Sequence, residues 1–413
     1  MDTEWLRIVV VGHVDHGKSS LIGRLLHESG ALPDGRLEEI ARGAQDGLPE
    51  WALLLDHFSE EREQERTIDS TQAFFATASR VYRIIDAPGH REFLKNMVTG
   101  AAQADAAILV VDVEAGVLEQ TRRHVAMLAM LGLRCLIVAI NKMDRVGGKR
   151  GPFDAVSSSV LALLRQADMT PQCVVPISAK HGWELAGHAP EIGWYDGPTL
   201  FEALDSLPKP AHLSSQPLRF PVQDVYEING RKIIVGRIES GRIARGESLM
   251  CLPTGQTVRV ATIEKFMEDR TSAKALESIG LTIEEPLHVE RGMVLCDLKQ
   301  PPRAAGQFEA NVFWLARNGW ARGDSLLLRC TTQQSPCQIE RVRRRVNSST
   351  FEVVEDDASH LDATEVAEVV LSLDQPIAVE EFGRGKPLRR FVLIKNGELS
   401  AGGTVTSAPR LAK

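Results

Sequence analysis

The sequence predicts a mostly parallel α/β domain over residues 1–209, followed by two small β-barrel domains at 216–300 and 304–413. Three observations carry that reading. Up to about residue 207, apolar strand-like runs at 8–11, 82–85, 107–111, 135–140 and 173–177 alternate with longer helical patterns. Hydrophobicity that is continuous within each run marks strands covered on both faces, hence a parallel sheet. A polar, proline-bearing linker follows, from Leu207-Pro208-Lys209-Pro210 to Ser214-Ser215-Gln216-Pro217. Beyond it the texture changes to short strand-like runs, such as 232–237 and 248–252, with turns at Ser240-Gly241 and Arg245-Gly246. Helical patterning is scarce from there on, which predicts barrels, with Pro301-Pro302-Arg303 as the seam between them.

The bulk composition narrows the class. A chain of 413 residues is too long for one core. Its hydrophobic share of 43% and charged share of 25% belong to an ordinary soluble globular protein. A net charge of −7 excludes a general attraction to nucleic acid or to an anionic membrane. The six cysteines form no CxxC pair, so reduced thiols in a cytoplasmic protein are expected. No signal-peptide pattern opens the chain and no apolar run approaches a membrane span, so no membrane association is expected.

The motifs then follow in order along the first domain. Gly12-His13-Val14-Asp15-His16-Gly17-Lys18-Ser19 matches GxxxxGK[ST], follows an apolar run, and leads through Ser20-Leu21-Ile22 into a helix. Backbone N–H groups of such a turn and the positive end of the helix dipole stabilise an anion at one place. Lys18 is placed to reach β- and γ-phosphates, and the Ser19 hydroxyl to ligate Mg²⁺. Asp86, in Asp86-Ala87-Pro88-Gly89-His90, ends the next run and offers a carboxylate to Mg²⁺, while the Gly89 N–H can sense a γ-phosphate.

Asn141-Lys142-Met143-Asp144 selects the base. An aspartate carboxylate accepts two hydrogen bonds from the N1–H and N2–H₂ edge of guanine, a donor pair that adenine lacks. Asn141 would tie the base to the phosphate loop and the Lys142 stem would cover the purine face; the plainer alternative is a helix N-cap at Asn141 or Asp144. Ser178-Ala179-Lys180 would turn backbone N–H groups to the base carbonyl. All these motifs sit at strand ends, the rim where parallel sheets bind ligands. The expected ligands are GTP and Mg²⁺.

Residues 5–207 resemble the G domain of translation-type GTPases, in the elongation factor Tu and 1-alpha group. The stretch from Asp86 to Met97, with Arg91-Glu92-Phe93-Leu94-Lys95-Asn96 between, is specific to that group. The resemblance implies an α/β P-loop G domain followed by two small β-barrel domains. It also implies that His90 orients the attacking water and that Thr67 ligates Mg²⁺. Trp51-Ala52-Leu53-Leu54-Leu55-Asp56, Gly116-Val117-Leu118-Glu119-Gln120-Thr121 and Trp194-Tyr195-Asp196-Gly197-Pro198 carry a finer resemblance, to the GTPase large subunit of bacterial ATP sulfurylase. Pro217-Leu218-Arg219-Phe220 and Val289-Glu290-Arg291-Gly292 agree with it. That likeness implies GTP hydrolysis coupled to sulfate activation on a separate adenylyltransferase small subunit. The alternatives are an elongation-factor-like GTPase delivering aminoacyl-tRNA and a stand-alone regulatory GTPase.

One segment departs from the group. Its first switch usually reads Glu-Arg-Glu-Gln-Gly-Ile-Thr-Ile-Asp; here Glu65 and Arg66 replace the glycine and isoleucine before Thr67. In the group that isoleucine packs opposite the residue matched by Val14 and screens the catalytic histidine. GTP binding with an altered intrinsic hydrolysis rate is therefore expected; the plainer alternative is that Glu65 and Arg66 simply point to solvent. His13 and His16 occupy positions the group commonly fills with His, Ser or Asp, so they are not read as a metal pair. Arg341, Arg343 and Arg345 would share one face of a strand, read as a solvated face before a docking surface.

Overall fold

The computed structural model describes residues 5–32, 51, 72–77, 79–85, 104–208, 213–228, 230–265, 268–381 and 386–408. The chain divides into two units, with the break between Pro208 and Lys209.

The first unit is built on six strands: β1 (Trp5–Gly12), β2 (Gln72–Ala76), β3 (Val81–Ile85), β4 (Ala106–Asp112), β5 (Leu136–Asn141) and β6 (Cys173–Pro176). Their order is β2-β3-β1-β4-β5-β6, parallel throughout except for the antiparallel edge strand β2. Every residue of β4 and β5 is buried, which is why their hydrophobicity is continuous. The strand β2 was not legible as a run: Phe74 is exposed while Phe75 is buried, so this short edge strand alternates. Helices α1 (Lys18–Glu28), α2 (Glu119–Met130), α3 (Arg150–Gln166) and α4 (Leu200–Asp205) connect or follow the strands. Helix α1 buries Leu21, Ile22, Leu25 and Leu26 at helical spacing, each side chain contributing about 1.5–3 kcal/mol. A capping box starts α4: Thr199 Oγ1 accepts from Glu202 N, and the Glu202 carboxylate accepts from Thr199 N.

The second unit holds two closed barrels. The first consists of β7 (Arg219–Ile228), β8 (Arg231–Arg237), β9 (Ser248–Leu252), β10 (Gln256–Lys265), β11 (Ser278–Ile283) and β12 (Val294–Asp297). The second consists of β13 (Arg303–Trp314), β14 (Leu326–Cys330), β15 (Gln333–Asn347), β16 (Glu365–Val379), β17 (Arg390–Lys395) and β18 (Glu398–Ser407). The orders are β9-β12-β7-β8-β11-β10 and β14-β17-β18-β13-β16-β15, closed by the pairs β9–β10 and β14–β15. Closure leaves these strands without a free edge, so the barrels need no covering helices.

The two barrels share apolar packing. Leu252, Val294 and Cys296 of the first lie in the same core as Ala305, Phe308 and Val379 of the second. Beside them Arg219 pairs with Glu380 at 2.9 Å, with side chains 6% and 7% exposed. The remaining Arg219 bonds go to the carbonyls of Leu218 and Gln300. The arginine run behaves differently from a plain strand. Bulges between Ile339 and Arg341 and between Val342 and Arg344 break the alternation. Arg341 and Arg343 stay exposed and pair with Asp357 and Glu309, whereas Arg345 turns inward between Glu355 and Glu365. The expected shared face of all three arginines is thus not formed. Among the described residues no helix is long and apolar enough to cross a membrane.

Candidate functional site

The ends of β1, β4, β5 and β6 bring the phosphate-loop, Asn141–Asp144 and Ser178–Lys180 segments to one rim of the first unit. Gly17 caps the start of α1 with φ +87°, and a Cβ there would lie 2.4 Å from Asn141 Nδ2, so the position admits only glycine. Lys18 is 7% exposed, and its Nζ donates to the carbonyls of Gly12 (2.9 Å) and His13 (2.7 Å), drawing the loop around itself. Ser19 is exposed in the first turn of α1, with Ser20 half-buried beside it. Asp15 is exposed in a left-handed conformation, and the Val14 N–H donates to Gln120 Oε1 of α2.

Asn141 joins the three segments. Buried at 2% exposure, it donates from Nδ2 to His16 O at 2.9 Å and accepts at Oδ1 from Ala179 N at 3.0 Å. Its neighbour Lys142 adopts φ 66° and pairs through Nζ with Asp112 Oδ2 at 2.7 Å. Burial alone would raise the Asp112 carboxyl, but the Lys142 hydrogen bond and the N–H groups of Glu114 and Ala115 outweigh it and hold it below its ordinary range. Asp144 Oδ1 accepts from Ser178 Oγ at 2.5 Å, and His181 Nε2 stands 3.9 Å from Oδ2. The carboxylate is therefore oriented before any ligand arrives. Within this segment Ser178 N donates to Trp183 O, and Ala179 N to Asn141. The Lys180 carbonyl accepts from Trp51 Nε1 and from Arg24 Nη1, each at 3.3 Å.

Histidines line the floor. His16 Nδ1 lies 3.3 Å from both Val110 O and Asp112 N, and burial lowers its pKa to about 4. His124 of α2 is lowered to about 3, chiefly by burial and then by the charge of Lys18. Both rings are neutral at physiological pH, which keeps positive charge concentrated on Lys18.

This donor set fits a nucleotide: a lysine ammonium inside a turn at a helix N-terminus, and a pre-oriented carboxylate on the adjoining loop. For a divalent cation the exposed Ser19 hydroxyl supplies one hard oxygen. The other expected ligands, Thr67 and Asp86, lie outside the described residues, as do Gly89, His90, Glu65 and Arg66. Sequence reasoning missed Asp112, Gln120, His124, Arg24 and Trp51. For Asp112 a signal existed, because it ends an unbroken apolar run at the same rim.

Comparison with known proteins places these features. Residues 3–210 match the elongation factor Tu GTP binding domain, 231–296 match elongation factor Tu domain 2, and 307–406 match the GTP-eEF1A C-terminal domain-like family. Elongation factor 1-alpha of Methanothermobacter thermautotrophicus is 36% identical over 408 residues, covering 97% of each chain. That of Archaeoglobus fulgidus is 36% identical over 421 residues, covering 99% of each. The crystal structure of Sup35 complexed with GMPPNP aligns with 98% of this chain and 95% of its own, at 25% identity and a TM-score of 0.46.

These near full-length matches correct the sulfate-activation reading and, with it, the adenylyltransferase small subunit as partner; they favour the elongation-factor alternative. The segments behind that reading have packing roles. Trp194 packs against Phe153 and Arg150, and Gln120 holds the phosphate loop, tasks that follow from the nucleotide domain and say nothing of sulfate. The family binds GTP with Mg²⁺. With these matches over the three segments and nearly the whole length, the chain belongs to the elongation factor Tu/1-alpha family of GTPases.

Proposed function

We propose that the chain is an elongation-factor-like GTPase that holds aminoacyl-tRNA in its GTP form and releases it after hydrolysis, in the cytoplasm. The observation that carries this is the match to elongation factor 1-alpha over 97–99% of both chains. The proposed division of labour is a G domain at 1–209 and barrels at 216–300 and 304–413.

Residues Gly12 to Ser20 cradle the phosphates, with Lys18 on the β- and γ-groups. Asp144 reads the guanine edge, Asn141 fixes the loops around it, Lys142 flanks the purine, and Ser178, Ala179 and Lys180 complete the base pocket. Ser19, Thr67 and Asp86 hold Mg²⁺, which when bound neutralises charge on the phosphates. Gly89 senses the γ-phosphate and His90 orients the attacking water. Glu65 and Arg66 alter the intrinsic hydrolysis rate.

The test is protection of the aminoacyl ester. Charged tRNA incubated with protein and a non-hydrolysable GTP analogue should deacylate more slowly than with protein and GDP. Equal deacylation in both states would refute the proposal.

A further inference from the structure

The loop at 142–148, which carries Asp144, is held at its far end by an aromatic cluster. Between β5 and α3 the loop makes one 3-10 turn, Met143–Val146, flanked by left-handed Lys142, Gly147 and Gly148. A single such turn sustains itself poorly. Within the loop Arg145 N donates to Lys142 O at 3.0 Å, Gly147 N to Asp144 O at 3.1 Å and Gly148 N to Met143 O at 2.9 Å, and Met143 N reaches across to Ile177 O at 3.1 Å.

The Gly148 carbonyl accepts a hydrogen bond from Trp194 Nε1 at 2.6 Å. A Cβ on Gly148 would fall 2.3 Å from the Glu191 carbonyl, so the segment before Trp194 presses directly on the loop. Trp194 is itself fixed. The Phe153 ring lies 5.2 Å away, Tyr195 meets it edge-on at 6.1 Å, and the Arg150 guanidinium stands 5.9 Å from its centroid. The Tyr195 hydroxyl lies 3.3 Å from Val174 O, which ties the cluster to β6.

We infer that Trp194 is a positioning residue for guanine recognition: its indole N–H, gripping Gly148, holds the loop that aims Asp144. This rests on the proposed role of Asp144 as reader of the base. A carboxylate accepting two donors needs a fixed orientation, so a loosened loop loses affinity for the donor edge of guanine and little for phosphate.

The test compares the dissociation of GDP with that of IDP, which lacks the N2 amino donor. Trp194→Phe keeps a ring and removes the N–H; it should speed GDP release about tenfold while IDP release changes by less than about threefold. Arg150→Gln, at an exposed guanidinium that stands over the ring and pairs with Asp154 at 3.3 Å, should give the same asymmetry at about twofold, and carries the test if the first variant misfolds. Unchanged GDP release, or equal acceleration for both nucleotides, would overturn the inference. Asp144→Asn is run alongside: if it fails to move preference from GDP to XDP, the base-reading role itself has failed, separately from that of Trp194.

Discussion

Replacing Asn141 with alanine removes a side chain that bonds to both the phosphate loop and the Ser178–Lys180 segment. Two hydrogen bonds go, of 2.9 and 3.0 Å, and their partners are stranded: the His16 carbonyl and the Ala179 N–H, on residues 2% and 1% exposed. Each unsatisfied buried group costs about 1–3 kcal/mol, and water entering the vacated volume recovers part of it. A net loss of about 3 kcal/mol is expected, because both loops must be reassembled by the ligand. That corresponds to GDP binding weakened by roughly 150-fold. Isothermal titration calorimetry with GDP measures it, with the thermal midpoint of the variant recorded beside it. Affinity within about threefold of the parent would refute the reasoning, since it would mean the amide holds nothing the ligand needs.

Two other perturbations probe different parts of the molecule. Arg219→Met leaves Glu380 buried without its partner and should cost the second unit about 3–5 kcal/mol in urea denaturation, whereas Arg219→Met with Glu380→Leu should return to within about 1 kcal/mol; a single variant as stable as the double would contradict this. The histidine floor gives a pH dependence. His16 and His124 titrate near 4 and 3 in the fold against an ordinary 6.5, so between these values the unfolded chain binds more protons. The first unit is therefore most stable above pH 6.5 and loses stability as pH falls toward 4. His124→Asn should flatten that loss between pH 7 and 5, and parallel declines in parent and variant would count against it.

Much of the fold was legible because burial on two faces leaves a direct trace. The strand β4, buried at every residue, reads as an unbroken apolar run, and the turn before Lys18 announces itself by composition. The edge strand β2 left no such trace, since Phe74 faces solvent. Arg345 escaped prediction because bulges, which no residue type marks, reversed its side. Within the site, Lys18, Asn141 and Asp144 were readable from local motifs. Gln120 and Trp194 were not, because their roles depend on contacts between distant segments, such as Val14 N with Gln120, 106 positions apart. The same limit explains the sulfate reading: segments such as Trp194-Tyr195 looked like markers of a subfamily and are packing elements of the nucleotide domain.

In the proposed function the loops on this rim form a guanine site read by Asp144, and a single exchange at that carboxylate puts this to the test. Asp144→Asn replaces an acceptor oxygen by a donor, which suits the 2-oxo group of xanthine and opposes the guanine amino group. Measured side by side on the purified full chain, GDP should bind about 100-fold more weakly and XDP should become the preferred ligand. Retained GDP affinity with no gain for XDP would contradict the account.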